Sequence, residues 1–572
     1  MLDGDSMHDI DLMLKLQLEG KHNEARAISD KLEELGPDRI LDVKGNNTQD
    51  IWFRHCFNRG WFLLQDGDYQ AGCKILEHGR FLNVYGNLPL KTAAPLYNPE
   101  QCSIKDKSII ISLEGGLGDE IIHARFAQSF KAQGASKVYL AAAPELQSVF
   151  SRIPGVDGVI LRNQAHMVQH DYWIPGFSAG WVAGHTFDNL PNTQYMIPKP
   201  DSVEVWKSLI NSDRIKVGIR WAGNPKFEHQ QFRRFPEKFL TNLSKYSKLQ
   251  IYSLQRDNNI VDLPEGVVDL QHLLLSWEDT MAAIQNLDIV ITSCTSIAHM
   301  SAAMGKETWV IVPILPYHTW TYQCPTSTSS PYYSSVKLFR QKQANSWNQT
   351  FQQLYSSLED RFGLTHLEMP NEDAESKKLN LGCGLKKFDG FLNVDSNSYV
   401  KPDQVVDLNQ LPWPWKDNEF SHIVAKDILE HLGTSNEHFL KILEEMYRVT
   451  QNGGIWEVQV PHPRSDTALD DPTHQRIITK GTFDLLNKRR MLELANLGES
   501  DSLLAFSYNI DLEVCDYNYE YTPVWEEKIR SGISQEEIES AVSSLNNVAY
   551  STRLLIQVHK PSRASIEEIR IV

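Results

Sequence analysis

Short apolar runs that lead through a turn into a helical segment constrain the fold of this chain more than any other feature. The first run, 108–113 (SIIISL), is followed by the turn EGGLGD and by a helical segment from Asp119 to about Gln133. Short continuous apolar runs are typical of parallel strands that are buried on both faces. Further strands are predicted at 138–142, 158–161, 215–220, 250–254, 288–292 and 309–312, with a break near 198–202.

This alternation, interrupted once, predicts two doubly wound α/β halves that face each other across a cleft. A third α/β unit is predicted after the polar segment 369–378. Its strands end at 381, 395, 408 and 425, a further strand covers 455–460, and the closing strands 512–517 and 550–558 flank an acidic helix between 526 and 545. The predicted fold class is therefore multidomain α/β.

The first hundred residues are predicted to be helical, with one segment ending at Gly36-Pro37 and another at about 51–85. Segments 20–25 (GKHNEA) and 67–72 (GDYQAG) share a turn glycine followed by a ring side chain and a small residue. They resemble tetratricopeptide repeats. Repeats of that kind recur every ~34 residues, however, whereas these two copies lie 47 residues apart. Such helices could dock a partner or acceptor, or they could cap the next domain. With only two copies, the cap is favoured.

Composition limits the function classes. The 572 residues carry 56 Lys and Arg against 73 Asp and Glu, a net charge of −17, which argues against broad nucleic-acid binding but not against a small anionic ligand. No apolar run reaches the ~18 residues of a membrane span, and the acidic start predicts no signal or transit peptide. Seven scattered cysteines without a CxxC pair make a disulfide or zinc framework improbable and predict a cytoplasmic protein.

Three turns in the middle region carry candidate chemistry. The loop 115–119 (GGLGD) combines glycines, which let backbone amides approach a ligand, with Asp119, which could equally be a helix cap. The segment 294–299 (CTSIAH) offers hydroxyls and amides at a helix start, an arrangement that suits a diphosphate, although Ser and Thr are also ordinary helix caps. Arg233, beyond the turn 221–225 (WAGNP), could clamp a phosphate or be solvated.

Taken in order, these segments resemble a known family. The matching stretches are GGLGDEIIHARFAQSFKAQGA (115–135), IPGVD (153–157), VGIRWAGNP (217–225), SLQ (253–255), SIAHMSAAMGKETWVIVP (296–313) and SPYYSSVKLFRQ (330–341). Residues 108–350 resemble the heptosyltransferase-like GT-B glycosyltransferases that follow tetratricopeptide repeats in bacterial proteins.

The resemblance implies transfer of a sugar from a nucleotide donor, held mainly by the second half, to an acceptor on the first half, with no metal required. It implies that Asp119 takes the proton of the acceptor hydroxyl. Relatives usually carry Asp at the position of Cys294. Altered sugar choice, weakened activity and loss of transferase activity are therefore all open. An active transferase is favoured because Asp119 and its loop are present. The implied nucleotide-sugar contacts are Gly116, Gly118, Asn224, Arg233, Gln255, Thr295, Ser296 and His299.

The last third carries a second resemblance. Its order of LNLGCG, NVD, DLNQLPWPWKDNEFSHIVAKDILEHL and LEEMYRVTQNGGIWEVQVP resembles class I S-adenosylmethionine-dependent methyltransferases. The resemblance implies that Gly382 and Gly384 wrap the amino-acid part of the cofactor, that Asp395 binds the ribose, and that Asp407 and Leu408 bind the adenine.

A polar loop follows the strand 455–460. Its segment 470–476 (DDPTHQR) contains Asp471 and His474, which could deprotonate a hydroxyl or could merely position the substrate. A metal site is not predicted, because the ligand spacing fits no strong pattern.

Together these observations predict a bifunctional carbohydrate-modifying enzyme that uses a nucleotide sugar and S-adenosylmethionine on a glycan acceptor. A degenerate transferase that only binds a glycan or partner, and a transferase acting on protein side chains, are the alternatives. The predicted boundaries are 1–100 for the helical segment, 101–202 and 203–368 for the acceptor-side and donor-side halves, and 376–572 for the methyltransferase.

Overall fold

The computed structural model describes residues 6–39, 49–86, 90–223, 233–236, 238–256, 263–343, 346–367, 377–499, 503–530 and 533–569. The chain divides into two compact units, Met1–Pro370 and Asn371–Val572, which we call the first and the second unit. The predicted donor contact Asn224 lies outside the described residues.

The first unit begins with two helix pairs. Each pair turns at a glycine with positive φ, Gly20 at +77° and Gly67 at +95°, a backbone region that side chains with a Cβ rarely adopt. Leu64, Tyr69 and Leu76 belong to the hydrophobic core of the α/β region that follows, so α3 and α4 pack on that region; the choice between a cap and a docking surface stays a prediction. The tetratricopeptide assignment stays a prediction. The helices are α1 (Ser6–Leu18), α2 (His22–Leu35), α3 (Gln49–Asp66) and α4 (Tyr69–Leu76).

The first sheet of this unit has four parallel strands in the order β3-β2-β1-β4. The helix predicted from Asp119 to Gln133 is two helices, which meet at Arg125, where the guanidinium is buried and its Nε donates to the Ile122 carbonyl. Strand β4 was not predicted. The elements are β1 (Ser108–Ser112), α5 (Leu117–Ala124), α6 (Phe126–Ala132), β2 (Lys137–Ala141), α7 (Gln147–Phe150), β3 (Gly158–Ile160), β4 (Tyr172–Pro175) and α8 (Gly176–Val182).

The second sheet has six parallel strands in the order β10-β9-β8-β5-β6-β7. Counted from β5, this is 3-2-1-4-5-6, so the strand order reverses between β5 and β8. The two parallel α/β halves predicted from the sequence are confirmed. The elements are α9 (Pro200–Leu209), β5 (Ile215–Arg220), α10 (Lys238–Ser244), β6 (Leu249–Ser253), β7 (Val267–Asp269), α11 (Trp277–Gln285), β8 (Ile289–Ser293), α12 (Ser296–Ala303), β9 (Thr308–Val312), β10 (Val336–Arg340) and α13 (Asn348–Phe362).

The second unit contains one seven-stranded sheet in the order β13-β12-β11-β14-β15-β17-β16, parallel except for β17, which pairs antiparallel with both β15 and β16. Its order reverses between β11 and β14. The predicted acidic helix is two helices, α18 and α19. The strands are β11 (Lys377–Leu381), β12 (Leu392–Asp395), β13 (Gln404–Val405), β14 (Phe420–Lys426), β15 (Thr450–Pro461), β16 (Leu512–Tyr521) and β17 (Ala549–Val558). The helices are α14 (Asn436–Val449), α15 (Lys480–Asp484), α16 (Lys488–Asn496), α17 (Leu504–Ser507), α18 (Pro523–Arg530) and α19 (Gln535–Ser544).

Within the described ranges, no helix combines the length and the apolar character that a membrane span requires.

Candidate active sites

The glycine loop after β1 holds Asp119 in place. The Gly116 amide donates a hydrogen bond to Asp119 Oδ2 at 2.9 Å, so the carboxylate caps the start of α5 from within its first turn. The N-cap residue is Gly116 and not Asp119, because α5 begins at Leu117, before the predicted start. Gly115 has a φ of +80°, and a Cβ there would lie 2.6 Å from the same oxygen. A glycine is therefore required for this close approach of backbone and carboxylate.

Asp119 is more than a cap, because it is half-buried beside a second hydrogen-bond donor. The Tyr317 hydroxyl, from the segment that follows β9, also donates to the Asp119 carboxylate. Burial raises the pKa of Asp119 to about 6, while the two hydrogen bonds and the charge of Arg233 act in the opposite direction. A carboxylate with a pKa near neutrality is suited to accept a proton from a hydroxyl. Tyr317 was missed by sequence reasoning.

The glycine loop touches the start of helix α12 on the second sheet. A Cβ at Gly118 would lie 2.9 Å from His299 Cδ2 and 3.4 Å from Ser296 Cα. The structure therefore brings the predicted acceptor-side loop and the predicted donor-side helix start into one site. Helix starts present free amides and the positive end of the helix dipole, which favours an anionic group.

Arg233 lies at the same place. Its Nη1 donates to the Cys294 carbonyl at 3.2 Å, and its charge acts on Asp119. The Cys294 thiol is buried, 3.5 Å from the Ile311 carbonyl of β9, and burial raises its pKa to about 12. The thiol is therefore neutral near pH 7, and the Arg233 guanidinium brings positive charge to this turn.

The remaining predicted donor contacts follow β6 and β8 or lie in helix α12. The buried Gln255 side chain accepts a hydrogen bond from the Ala222 amide at 3.3 Å, so it supports the turn that follows β5. The Thr295 hydroxyl is 3.3 Å from that of Thr292. His299 stacks on Trp320, with ring centroids 5.0 Å apart, and burial lowers its pKa to about 3, so the imidazole is neutral.

In the second unit, the glycine turn after β11 meets the acid at the end of β12. Gly384 has a φ of +48°, and its amide donates to Asp395 Oδ2 at 2.9 Å. A Cβ on Gly382, whose φ is +59°, would lie 2.5 Å from a side-chain carbon of Ile428. The turn thus lies where the strand order of this sheet reverses, the place at which such sheets bind ligands.

Asp407 and Leu408 lie beyond β13. Asp407 is exposed and accepts from the Asn409 amide at 3.0 Å, while Leu408 is buried in the core of the unit. Within the described part of the chain, neither residue forms a hydrogen bond with the glycine turn.

A polar cluster lies at the carboxyl end of β14. It contains Glu430 and His431, which sequence reasoning did not single out although both belong to the DILEHL stretch, together with His474. Burial raises the pKa of Glu430 to about 7. Asp471 accepts two hydrogen bonds from Thr473, which lower its pKa, so its carboxylate is a weak base.

Comparison with known proteins gives structural likenesses alone. No protein family and no curated protein matches the sequence. The E. coli ADP-heptose lps heptosyltransferase II matches 44% of this chain and 99% of its own, at 12% identity and a TM-score of 0.33. A glycosyl transferase family 9 protein of Veillonella parvula matches 47% and 92%, at 11% identity and a TM-score of 0.33.

A SAM dependent methyltransferase of Archaeoglobus fulgidus matches 36% of this chain and 93% of its own, at 16% identity and a TM-score of 0.23. Glycosyltransferases and a methyltransferase are thus among the structural neighbours, and each covers only part of the chain.

Proposed function

We propose that the first unit transfers a sugar from a nucleotide sugar to an acceptor hydroxyl, and that the second unit methylates a hydroxyl of a glycan with S-adenosylmethionine. One observation carries the transferase proposal. A half-buried carboxylate with a pKa near 6, that of Asp119, lies in a glycine loop packed against the start of helix α12.

In the proposed transfer, the acceptor oxygen forms a bond to the anomeric carbon of the sugar, and the bond between that carbon and the diphosphate oxygen breaks. Asp119 takes the hydroxyl proton. The departing diphosphate is stabilised by Arg233 and by the amides and hydroxyls at Thr295 and Ser296, because these groups place positive charge and donors where negative charge develops. Asn224 remains a proposed contact of the donor.

The second unit fits the proposed cofactor at its glycine turn. A Cβ on Gly384 would meet no atom within 4 Å, so there is open space beside the turn, and Asp395 offers carboxylate oxygens next to it. Bound S-adenosylmethionine would supply an electrophilic methyl group. Gly382 and Gly384 would let the backbone approach it, Asp395 would accept from ribose hydroxyls, and Asp407 with Leu408 would contact the adenine. The loop with Asp471 and His474 would receive the acceptor hydroxyl.

The transferase proposal is tested with a panel of nucleotide sugars and the full chain. We expect release of the nucleoside diphosphate from at least one donor, abolished in Asp119→Ala and retained in Asp201→Ala, a matched change of an exposed aspartate in the first turn of α9. If the chain neither binds nor turns over any donor of the panel, the proposal is contradicted. Donor binding without turnover would favour the binding-module alternative.

The methyltransferase proposal is tested by calorimetry of the full chain with S-adenosylmethionine. Asp395→Ala should weaken binding at least ~10-fold, since a carboxylate hydrogen bond to ribose is worth about 1.5–3 kcal/mol. Asp389→Ala, a change of an exposed aspartate in the same turn region, should leave the affinity unchanged. The proposal fails if a folded chain shows no binding.

A further inference from the structure

Three potential metal ligands lie together at the carboxyl end of β14. One ligand atom each from Glu430, His431 and His474 lies within 4.8 Å of the other two. A tetrahedral cation with bonds of about 2.0–2.2 Å holds its ligand atoms about 3.3–3.6 Å apart. Small rotations of these side chains would therefore bring all three atoms to bonding distance.

The carboxylate of Glu430 accepts no hydrogen bond from any described residue. Glu430 is 2% exposed, and both of its carboxylate oxygens are buried without a hydrogen-bond partner. Burying an unpaired carboxylate is costly, and buried charges in proteins are paired or bind metal ions. The unpaired carboxylate is an observation independent of the clustering, and it points to a ligand that is positively charged.

The two imidazoles are oriented by neighbours that already occupy one nitrogen of each ring. His474 Nδ1 donates to the Ala468 carbonyl at 3.0 Å. His431 Nδ1 lies 2.9 Å from Thr473 Oγ1, whose hydroxyl is 2.6 Å from an Asp471 carboxylate oxygen. Because the carboxylate can only accept, the threonine hydroxyl donates to it and His431 Nδ1 donates to the threonine.

Both rings therefore present Nε2 as the nitrogen for a ligand. Histidines that bind metals almost always donate their other N–H to a carbonyl, a carboxylate or a similar group, which fixes the tautomer and the ring orientation. Here the Ala468 carbonyl does this for His474, and the Thr473–Asp471 pair does it for His431.

The loop that carries His474 is fastened to the segment after β14. The Gln475 backbone amide donates to the Glu430 carbonyl at 2.8 Å. Arg476 donates to the Gly433 carbonyl, and its guanidinium lies 4.3 Å from the centre of the Phe439 ring. The three ligand atoms are thus held together by contacts that do not depend on an ion.

We propose that Glu430, His431 and His474 bind a first-row divalent cation. Two imidazole nitrogens and one carboxylate oxygen favour zinc, iron, cobalt or manganese over magnesium and calcium, which prefer oxygen ligands alone. Three protein ligands leave coordination positions open, as in catalytic metal sites. His474 then acts as a ligand and not as the base predicted from the sequence.

The open positions would take oxygen atoms of the methyl acceptor, a role that rests on the proposed methyltransferase function. Ile428 connects the proposed cation site to the glycine turn. It lies two residues before Glu430, and its side chain contacts the position that a Cβ on Gly382 would occupy. A hydroxyl bound to the cation would be oriented beside the cofactor turn and made more acidic.

The test uses the full chain without a histidine tag, stripped with a chelator and titrated with Co²⁺, with binding followed by visible absorption and equilibrium dialysis. We expect Glu430→Gln and His474→Asn each to lose one equivalent of bound Co²⁺. His438→Asn, a change of a histidine in the first turn of α14 outside the cluster, should retain it. Thr473→Val should weaken Co²⁺ binding 10–100-fold, because it removes the partner that orients His431.

Thermal unfolding separates loss of the site from loss of the fold. Co²⁺ should raise the Tm of the wild type and of His438→Asn but not of the two cluster variants, because only binding to the folded state stabilises it. Equal Co²⁺ binding in wild type, Glu430→Gln and His474→Asn would overturn the proposal; should either variant not fold, the other and His431→Asn decide. If the chain binds Co²⁺ but not S-adenosylmethionine, the proposed methyltransferase function is contradicted and the proposed cation site is not.

Discussion

At the scale of single residues, Asp119 combines a structural role with the properties that its proposed chemical role requires. A carboxylate can accept several hydrogen bonds, so Asp119 can accept one from the Gly116 amide at the start of α5 and still accept others. Its desolvation opposes the charged form and places its pKa far closer to neutrality than an exposed aspartate would have. The cap and base interpretations of this residue are therefore compatible.

Transfer activity should depend on the ionisation of Asp119. The base is active when deprotonated, so activity should fall on the acid side of a pKa of about 6, by tenfold per pH unit well below it. Rates of sugar transfer measured against pH test this. An acid limb near pH 4, the range of an exposed aspartate, would contradict it. The groups that face Asp119 are the Gly116 amide, Tyr317, Arg233, Glu120 and Tyr85.

Removing the Tyr317 hydroxyl should move this acid limb upward. Its hydrogen bond stabilises the charged carboxylate and lowers the pKa of Asp119, so Tyr317→Phe should raise that pKa above 6. The matched change Tyr322→Phe in the same segment should leave the pH profile in place. An unchanged limb in Tyr317→Phe would show that this hydroxyl does not act on Asp119.

Gly118 marks the contact between loop and helix. A Cβ there would lie 2.9 Å from His299 Cδ2, and the His299 ring is already stacked on Trp320. Gly118→Ala should therefore lower the free energy of unfolding by about 1–3 kcal/mol. Gly116→Ala, with its new Cβ at an ordinary 3.6 Å from the nearest atom, should lower it by less, about 0.5–1 kcal/mol, because Ala is a poorer N-cap residue than Gly. Denaturant unfolding measures both; similar losses would mean that the close contact is not the cause.

At the scale of elements, the N-terminal helices do more than cover the first sheet. Helix α3 also contacts the segment after β9 that carries Tyr317. The Trp61 ring packs edge-on against Tyr317, with centroids 5.9 Å apart. The Gln323 backbone amide donates to the Gln65 backbone carbonyl at 2.9 Å. The helical segment thus supports the residue that hydrogen-bonds the proposed base.

Trp61→Ala should reduce the turnover number more than donor affinity, because it removes the ring behind Tyr317 and displacements of about 1 Å in such sites can cost ~100-fold in rate. Trp52→Ala, on the same helix but packed against the cluster of Ile10, Leu32 and Ile51, is the matched control. Steady-state kinetics of both variants test the point. Equal effects would mean that α3 supports the fold and not the site.

At the scale of the whole molecule, each unit has its own hydrophobic cores. Among the residues that the structure describes, the large cores of the first unit contain no residue of the second, and the core of the second unit contains none of the first. Units with separate cores commonly unfold in separate transitions.

Calorimetric unfolding should accordingly show more than one transition, and S-adenosylmethionine should raise the temperature of one of them only, through mass action on the unit that binds it. A nucleotide-sugar donor should raise a different transition. A single transition that both ligands shift equally would contradict this separation.

The sequence by itself determined the alternation of strands and helices and the turns that carry glycine. Runs 108–113 and 215–220 became β1 and β5 because a short apolar run bounded by turns is a local property of neighbouring residues. The pairing of the glycine turn after β11 with Asp395 was likewise predictable, since the ends of adjacent parallel strands meet at one edge of a sheet. Strand β4, with two half-buried aromatic residues and a proline, lacks that local pattern.

Only the tertiary structure decided which side chains meet and which lose their contact with water. Tyr317 reaches Asp119, and His474 reaches Glu430, from segments far away along the chain, which no local period encodes. The raised pKa of Asp119 and the unpaired carboxylate of Glu430 both arise from burial, and burial depends on every element packed around a group. Periodicity and turn chemistry are written in neighbouring residues, whereas desolvation and proximity exist only once the chain has folded.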